Sequence, residues 1–352
     1  RETVIRSKFR FTYEQAQEVI DGKEHQFEPE MKLLHALSKM LTDKRFKQGA
    51  MDFESPEPRF QLDEKGHPIS VVIKERLDAH RLVEECMLLA NKTVALHIEN
   101  LRSGASKTKI KDKNLYPFFY RVHDKPDPEK LMNVAENVGP IGIKFKLNPD
   151  KITSKVINEL LTAVKGHPLQ NTINELVLRS MAKAVYSPKN IGHFGLHFKH
   201  YAHFTSPIRR YPDVIVHRLL KNYASGVPTY RYAELEELGM HCSEREKMAV
   251  SAERDSIKLK QVEFMSDKIG QVFDGTISGV TDKGLFVVLK DVYCEGLVRI
   301  SDLDDDYYVY VANRHVLQGR SRGKSYRLGE SIKVRVFATN LEQRTIDFVL
   351  AK

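Results

Sequence analysis

At "SDKIGQ", residues 266–271, the periodicity of the chain changes, and the change restricts it to two unlike units. Before this point apolar residues recur at helical spacing between polar connectors. After it come "GQVFDGTISGV", "GLFVVLKD", "EGLVRISDL", "SIKVRVFATN" and "TIDFVLA", short alternating runs separated by glycine and charged turns. Period-two alternation rich in Val, Ile and Phe specifies strands, and about five of them within some eighty residues suffice to close a small barrel. The expected fold class is therefore α+β: a helix-rich unit over residues 1–266, followed by a small all-β barrel over residues 267–352.

Local signals place several helices in the first unit. Thr12 followed by Gln15 forms a capping box, and Pro29 opens a second helix with Leu33, Leu37, Met40 and Leu41 at helical spacing. "GAMDFESPEPRFQLDEKGHPISVVI" alternates around the turn "DEKGHP" and reads as a β-hairpin. "DAHRLVEECMLLANKTVALHIENL" is a long helix with Leu82, Cys86, Leu89 and Thr93 on its inward side. Pro128 in "HDKPDPEKL" starts the next helix, residues 170–186 form another ending near "YSPKN", and a charged helix runs from about Tyr230 to Met265. The opening "RETVIRSKFRFTY" reads as the end of a strand, as though the chain were an internal piece of a longer one.

Composition sets the class of partner. With 41% hydrophobic and 29% charged residues the chain is globular rather than disordered or fibrous. Fifty-six Lys and Arg against forty-seven Asp and Glu give a net charge of +9, which favours a polyanionic partner. Cys86, Cys242 and Cys294 are far apart, odd in number and in no ligand spacing, so neither a disulfide framework nor a zinc site is expected. That usage suits a reducing cytoplasm. No run approaches the length of a membrane span and no signal-like apolar region is present, so no membrane association is expected.

Chemistry concentrates in "YAHFTSPIRRYPDVIVHR", residues 201–218. Ser206 is a favourable N-cap and Pro207 a favourable first helical residue, so a helix is expected from Pro207, with Arg209 and Arg210 in its first turn. Free N–H groups and the positive dipole end favour phosphate there, and guanidinium groups add forked, charged hydrogen bonds. Cations at that end weaken a helix slightly, which asks for a compensating reason. Tyr201, Phe204 and Tyr211 then read as stacking rings, with Arg209 and Arg210 gripping phosphate, as on a single-strand nucleic-acid surface. The alternatives are rings packed in a core and arginines paired with Asp213 or solvent. His193, His200, His203 and His217 read as packing or RNA-facing residues rather than metal ligands.

"GHFGLHFKHYAHFTSPIRRYPDVIVHR" resembles the signature of the RNase II/RNase R family, the RNB-domain exoribonucleases. "RFTYEQ", "GAMDFESPE", "EECMLLAN", "YRVHDKPDPEKL" and "GLVRISDLDDDYY" agree with it in order, so the resemblance covers nearly the whole chain, and the arrangement is nearest to the bacterial RNase R branch. It implies the C-terminal portion of an RNB domain joined to an S1-type RNA-binding OB fold, from a processive, hydrolytic 3'→5' exonuclease that converts single-stranded RNA to nucleoside 5'-monophosphates without an obligate protein partner. It also implies that Arg209 is catalytic, sitting near the scissile phosphate. Tyr201, His203, Thr205, Ser206 and Arg210 fall in the signature as RNA contacts. Tyr13 matches a tyrosine associated with reading the ribose, partnered by a glutamate that is either Glu84 or Glu85. Phe53 is a candidate base clamp, or core of the hairpin.

The departures matter as much. In the family, two Mg²⁺ ions are held by a "DxxxxxDxDD" cluster; no such pattern occurs in these residues, and the family's cluster lies upstream of the point where this chain starts. No metal ligands are therefore expected here, and the chain should bind RNA without cutting it; the alternative is a non-catalytic RNA-binding module. "DLDDDYY", Asp302 to Tyr308, lacks the glycine and distal glutamate of a calcium loop and reads as an exposed loop. In the barrel the resemblance assigns Phe286 to base stacking and Lys333, Arg335 and Arg344 to phosphate. Lys283 stands where a ring is frequent, and Arg299 replaces a usual histidine. Arg314, Arg320, Arg322, Lys324 and Arg327 collect in the insertion before the last strands, either as a solvated loop or as part of the barrel's grip.

Overall fold

The computed structural model describes residues 3–51, 58–73, 75–106, 116–138, 143, 145, 147–167, 170–225, 227, 230–311, 316–321 and 323–351; Phe53, Arg314 and Arg322 lie outside them. The fold class is α+β as expected, a helix-rich part followed by a β-rich part.

Helix α1 (Tyr13–Ile20) begins at the capping box: Gln15 N donates to Thr12 Oγ1 at 3.2 Å, and Thr12 N donates to Gln15 Oε1 at 2.9 Å. Pro29 sits in the first turn of α2 (Glu28–Lys47), where a missing N–H costs nothing. Strands β1 (Pro58–Leu62) and β2 (Pro68–Ile73) form the hairpin, its turn tied by Lys65 N and His67 N donating to Asp63 Oδ1. Residues 3–12 are irregular rather than a strand.

Helix α3 (Asp78–Ser106) corrects the expected inward face. Its buried row is Leu82, Glu85, Leu88, Asn91, Ala95 and Ile98, while Leu89 is 42% exposed and Thr93 lies outside. The hydrophobic stripe misleads because two of the buried positions are polar. Each is satisfied by partners distant in sequence, Arg45 for Glu85 and the 201–205 segment for Asn91.

Strand β3 (Tyr120–Val122) is followed by α4 (Pro128–Val138), α5 (Ser154–Ala163) and α6 (Gln170–Ser180). The helix expected to reach residue 186 stops at Ser180, whose carbonyl accepts from Asp127 N at 2.9 Å. Residues 185–187 are instead β4 (Val185–Ser187), paired antiparallel with β3. Tyr186 N donates to Ser243 Oγ of a later helix, so pairing with sequence-distant groups overrides the local helical period.

Helix α7 (Tyr211–Ala224) starts four residues later than its sequence suggests, with Arg210 rather than Ser206 at the N-cap position. Had it begun at Pro207, Pro212 would fall inside it and its ring would strike the carbonyl of Ile208. Pro212 therefore sets the start, and residues 207–209 form a separate turn. Helix α8 (Tyr232–Ser266) packs at both ends, and its middle, residues 247–257, is exposed along its length.

The end of α8 enters the barrel core, where Val262, Phe264 and Met265 join Ile277, Val287, Val298 and Phe348. The barrel closes through β5 (Val272–Thr281), β6 (Gly284–Leu289), β7 (Glu295–Arg299), β12 (Thr345–Leu350) and β11 (Ser331–Asn340), with β11 returning to β5. Numbered within the barrel this is the order 1-2-3-5-4-1. The insertion between β7 and β11 is not an unstructured loop: β8 (Tyr308–Val311), β9 (Val316–Gly319) and β10 (Ser325–Arg327) form a three-stranded sheet. The acidic run holds it, since Lys324 Nζ donates to Asp305 at 2.8 Å and Asp306 accepts from Ser321 N.

Candidate nucleic-acid interface

Asn91, on the buried row of α3 and 2% exposed, organises the segment that precedes α7. Its Oδ1 accepts from Phe204 N at 2.9 Å and Thr205 N at 3.2 Å, and its Nδ2 donates to Tyr201 Oη at 3.1 Å. One amide thus satisfies two main-chain donors and a phenol that would otherwise be buried without partners. From the other side Arg121 of β3 donates its N–H to Tyr201 O, lays its guanidinium 4.6 Å over the Tyr186 ring and makes a two-pronged pair with Glu246 of α8.

A second buried polar group fixes the turn. Asp213, fully buried in the first turn of α7, accepts from Ser206 N at 2.7 Å and from the Arg210 guanidinium at 2.8 Å through the same Oδ1. Arg209 N and Arg210 N both donate to Ser206 O, at 3.3 and 3.0 Å. Asp213 thus ties both ends of the turn. Ser206 contributes through its main chain, so its expected role as a side-chain N-cap is corrected. The two arginines separate: Arg210 folds inward onto Asp213, while Arg209 stands exposed beside a fully exposed Ile208, its guanidinium with no hydrogen bond or ion pair among the described residues.

Burial determines the charge of the histidines. His203 accepts from or donates to Tyr186 Oη at 2.9 Å, and burial, reinforced by the Arg210 and Arg121 guanidinium groups, pushes its pKa down to about 2. Burial, with His123 and Arg121 nearby, takes His193 to about 3. Both are neutral at physiological pH and serve as packed, hydrogen-bonding rings. Tyr201 is buried at 5% exposure with its phenol pKa raised, first by burial, so the structure makes it a core ring rather than an open stacking surface. His217 stacks on Phe204 at 4.1 Å and bonds its carbonyl. Thr205 Oγ1 is buried without a hydrogen-bond partner among the described residues.

The α1–α3 pair carries a second exposed group of candidates. Ala79 N donates to Gln17 Oε1 at 3.0 Å, which docks α1 on the start of α3. Tyr13, 43% exposed, stacks on His80 at 3.9 Å between centroids and 14° between planes. Glu84 lies one turn beyond His80 on the same face, partly exposed and 2.6 Å from Arg76. Glu85 points the other way, 4% exposed, into a 2.5 Å pair with Arg45. The ambiguity between the two glutamates is thereby divided by position: Glu84 reaches solvent beside Tyr13, and Glu85 joins α2 to α3.

On the barrel the expected contacts are spread out. Phe286 of β6 is half-buried in a cleft of about 560 Å³ between the barrel and helices α4 and α6. Lys333 and Arg335 are exposed on β11, which β5 separates from β6. Arg344, in the β11–β12 turn, reaches Asp255 of α8 at 2.9 Å, and Arg299 reaches Asp347 at 2.9 Å. Sequence reasoning missed Asn91, Arg121 and Glu246; it offered Asp213 only as an alternative partner of the two arginines, and the structure pairs it with Arg210. The available signal for Asn91 was a polar residue one turn from Leu88 on a helix. Among the described residues no three His, Cys, Asp or Glu side chains come together as metal ligands, so these residues do not fit a magnesium pair. No helix among them is long and apolar enough to cross a membrane.

Comparison with known proteins agrees with this arrangement. Residues 1–226 match the RNB domain and residues 266–350 the S1 RNA binding domain. Ribonuclease R of Aquifex aeolicus is 42% identical over 99% of this chain, which covers 49% of that protein. Mycoplasma genitalium RNase R, solved in complex with ribose methylated single-stranded RNA, superposes with a TM-score of 0.87 at 29% identity over 97% of this chain and 53% of the other. Yeast Ssd1, described as a pseudonuclease, shares the fold at TM-score 0.64 and 21% identity, over 88% of this chain and 38% of that one. The chain spans about half the length of the curated relatives it matches. From residues 1–226 and their likeness to ribonuclease R, the chain belongs to the RNB-domain family, with an S1 RNA binding domain following.

Proposed function

We propose that the chain is the C-terminal portion of the RNB domain together with the S1 barrel of an RNase R-type enzyme, divided near residue 266, and that it grips single-stranded RNA for hydrolytic 3'→5' degradation to nucleoside 5'-monophosphates. The observation that carries this reading is Arg209: a guanidinium without a partner among the described residues, held out on a turn whose two ends are tied to the buried carboxylate of Asp213. A cation positioned before substrate arrives stabilises negative charge developing on phosphate without reorganisation in the reaction. Arg210, neutralised by Asp213, serves the turn. Tyr13 and Glu84 form a separate exposed contact suited to ribose and base, and Phe286 stacks a base on the barrel.

Magnesium chemistry belongs to this reaction in the family, but no carboxylate cluster among the described residues fits it. The reading is therefore that these residues bind RNA and supply Arg209, while the metal ligands come from elsewhere in the full-length, cytoplasmic protein, which needs no obligate protein partner. A second reading, a non-catalytic RNA-binding module, is favoured by the fold's occurrence in a pseudonuclease. Sequencing the full-length gene for the "DxxxxxDxDD" aspartate pattern separates the two.

The test of RNA binding is a fluorescence-anisotropy salt titration on a short unstructured RNA. Contacts from the barrel residues Lys283, Lys333, Arg335 and Arg344 to about four phosphates would give a slope of roughly −3 in log affinity against log salt. Absence of measurable binding at low salt would remove the reading. With Mg²⁺ added, the chain alone is expected to release no nucleotides from an end-labelled strand.

A further inference from the structure

The cleft that holds Phe286 has a composition that stacking alone does not require. On the outer face of the barrel, Phe286 lies opposite Leu297 and Val288 opposite Glu295, which makes Phe286 and Glu295 diagonal neighbours across β6 and β7. Such neighbours are about 7–8 Å apart, roughly the distance from the centre of a stacked base to groups at its edge. The residue paired with Phe286 on β5 is Gly279, at a bulge, so the residue paired with it on that strand brings no side chain over the ring; a Cβ there would sit 3.4 Å from Phe286. Ser278 Oγ donates to Glu295 Oε1 at 2.6 Å, holding the carboxylate in one orientation. The facing wall comes from the helix-rich part, with Val134 of α4 and Leu176 of α6 as its apolar portion and Lys130 and Arg179 among its charged residues.

We propose that this cleft is a base-reading subsite, in which a nucleobase of single-stranded RNA stacks on Phe286 and donates an exocyclic amino hydrogen bond to Glu295. The subsite rests on the RNA-binding reading above and adds a preference to it. A carboxylate only accepts, so it pairs with the N4 amino group of cytosine and opposes the O4 acceptor of uracil. Cytosine and uracil have rings of the same size, so stacking does not separate them. Val134 and Leu176 exclude water from the second face of the base, and Lys130 and Arg179 attract the adjoining phosphates. Both cations have carboxylate neighbours, Asp127 and Glu175, so their contribution is small compared with that of the base.

The experiment compares affinities of the chain for short oligocytidylate and oligouridylate at fixed salt and neutral pH, by fluorescence anisotropy. The chain is expected to bind oligocytidylate about five- to tenfold more tightly. Glu295→Gln keeps the Ser278 contact through its carbonyl and gains a donor, so it should abolish or reverse the preference while leaving mean affinity within about threefold. Phe286→Ala should weaken both oligomers, by about tenfold, and reduce the difference between them. Lys130→Ala with Arg179→Ala should weaken both equally, by less than Phe286→Ala. Equal wild-type binding of the two oligomers, or a preference unchanged by Glu295→Gln, overturns the subsite while leaving RNA binding intact. Failure of the wild-type chain to bind either oligomer removes the RNA-binding reading itself.

Discussion

The two parts of the molecule present cations to solvent by opposite means. In the helix-rich part, Arg209 stands on a turn whose supports are interior: Asn91 fixes the approach, and Asp213 fixes both ends. On the barrel, cations sit along open strands and turns, and Arg299 and Arg344 are already matched by Asp347 and Asp255. A buried clamp makes one charge available in one place, at the cost of a polar interior that every partner must help satisfy. A paired surface cation must exchange a carboxylate for a phosphate, so its net gain on binding is small. The first arrangement suits chemistry at one atom, and the second suits a diffuse hold on a polyanion.

The largest expected effect is on the clamp. Asp213→Ala leaves the Arg210 guanidinium and Ser206 N without their carboxylate, and should lower unfolding free energy by about 3–5 kcal/mol in a denaturant titration. Asp213→Asn, which retains an acceptor, should cost less. The contrast between the two parts would break if Arg344→Ala on the barrel were equally damaging.

Next comes turnover. In the full-length protein Arg209→Ala should reduce single-turnover cleavage by about a hundredfold or more with little change in RNA affinity, and Arg209→Lys should recover only part of it. Greatly weakened binding with normal cleavage would put Arg209 in the same class as the barrel cations.

Acid should act on the buried clamp before it acts on the open strands. His203 and His193 have folded pKa values of about 2 and 3 against an ordinary 6.5, so the unfolded chain takes up their protons first. Their neutral burial leaves stability whole above pH 6.5; below it stability falls until the folded values are reached. At pH 5.5 each should have lowered unfolding free energy by about 1.4 kcal/mol. His203→Gln should flatten the acid limb of a stability–pH curve, and an unchanged limb would show that His203 is not held neutral.

The smallest effect belongs to the barrel. Arg344→Ala breaks an exposed pair with Asp255 and should change stability by less than about 1 kcal/mol, an effect that fades in high salt. Its RNA affinity should fall less than that of Lys333→Ala, whose cation has no carboxylate partner among the described residues.

Much of the fold was legible wherever the signal is local. The Thr12–Gln15 box, Pro29 in a first turn and the Asp63–His67 hairpin turn all depend on groups within a few residues of each other. The five alternating runs correspond to β5, β6, β7, β11 and β12. Legibility failed where a distant partner changed the meaning of a residue. Leu89 and Thr93 looked inward until Glu85 and Asn91 took the buried row, and residues 185 and 186 looked helical until β3 paired with them. The signature segment shows both outcomes, since its arginines are evident in sequence but the start of α7 was displaced by Pro212.

By itself, then, the sequence determined the succession of helices and barrel strands, because period, caps and turns are read over a few residues, and it determined that Arg209 and Arg210 lie side by side in a segment rich in rings. Only the tertiary structure decided that these neighbours have different fates. Asp213 can draw in one guanidinium because Asn91, Tyr201 and His203 have already closed the interior around the segment. Likewise Glu85 is buried because Arg45 meets it from α2, while Glu84 remains beside Tyr13 in solvent. A buried charge persists only where an opposite charge or hydrogen-bond partner is delivered to it, and that delivery is made by residues 40 positions away in the case of Arg45 and Glu85, beyond the reach of any local pattern.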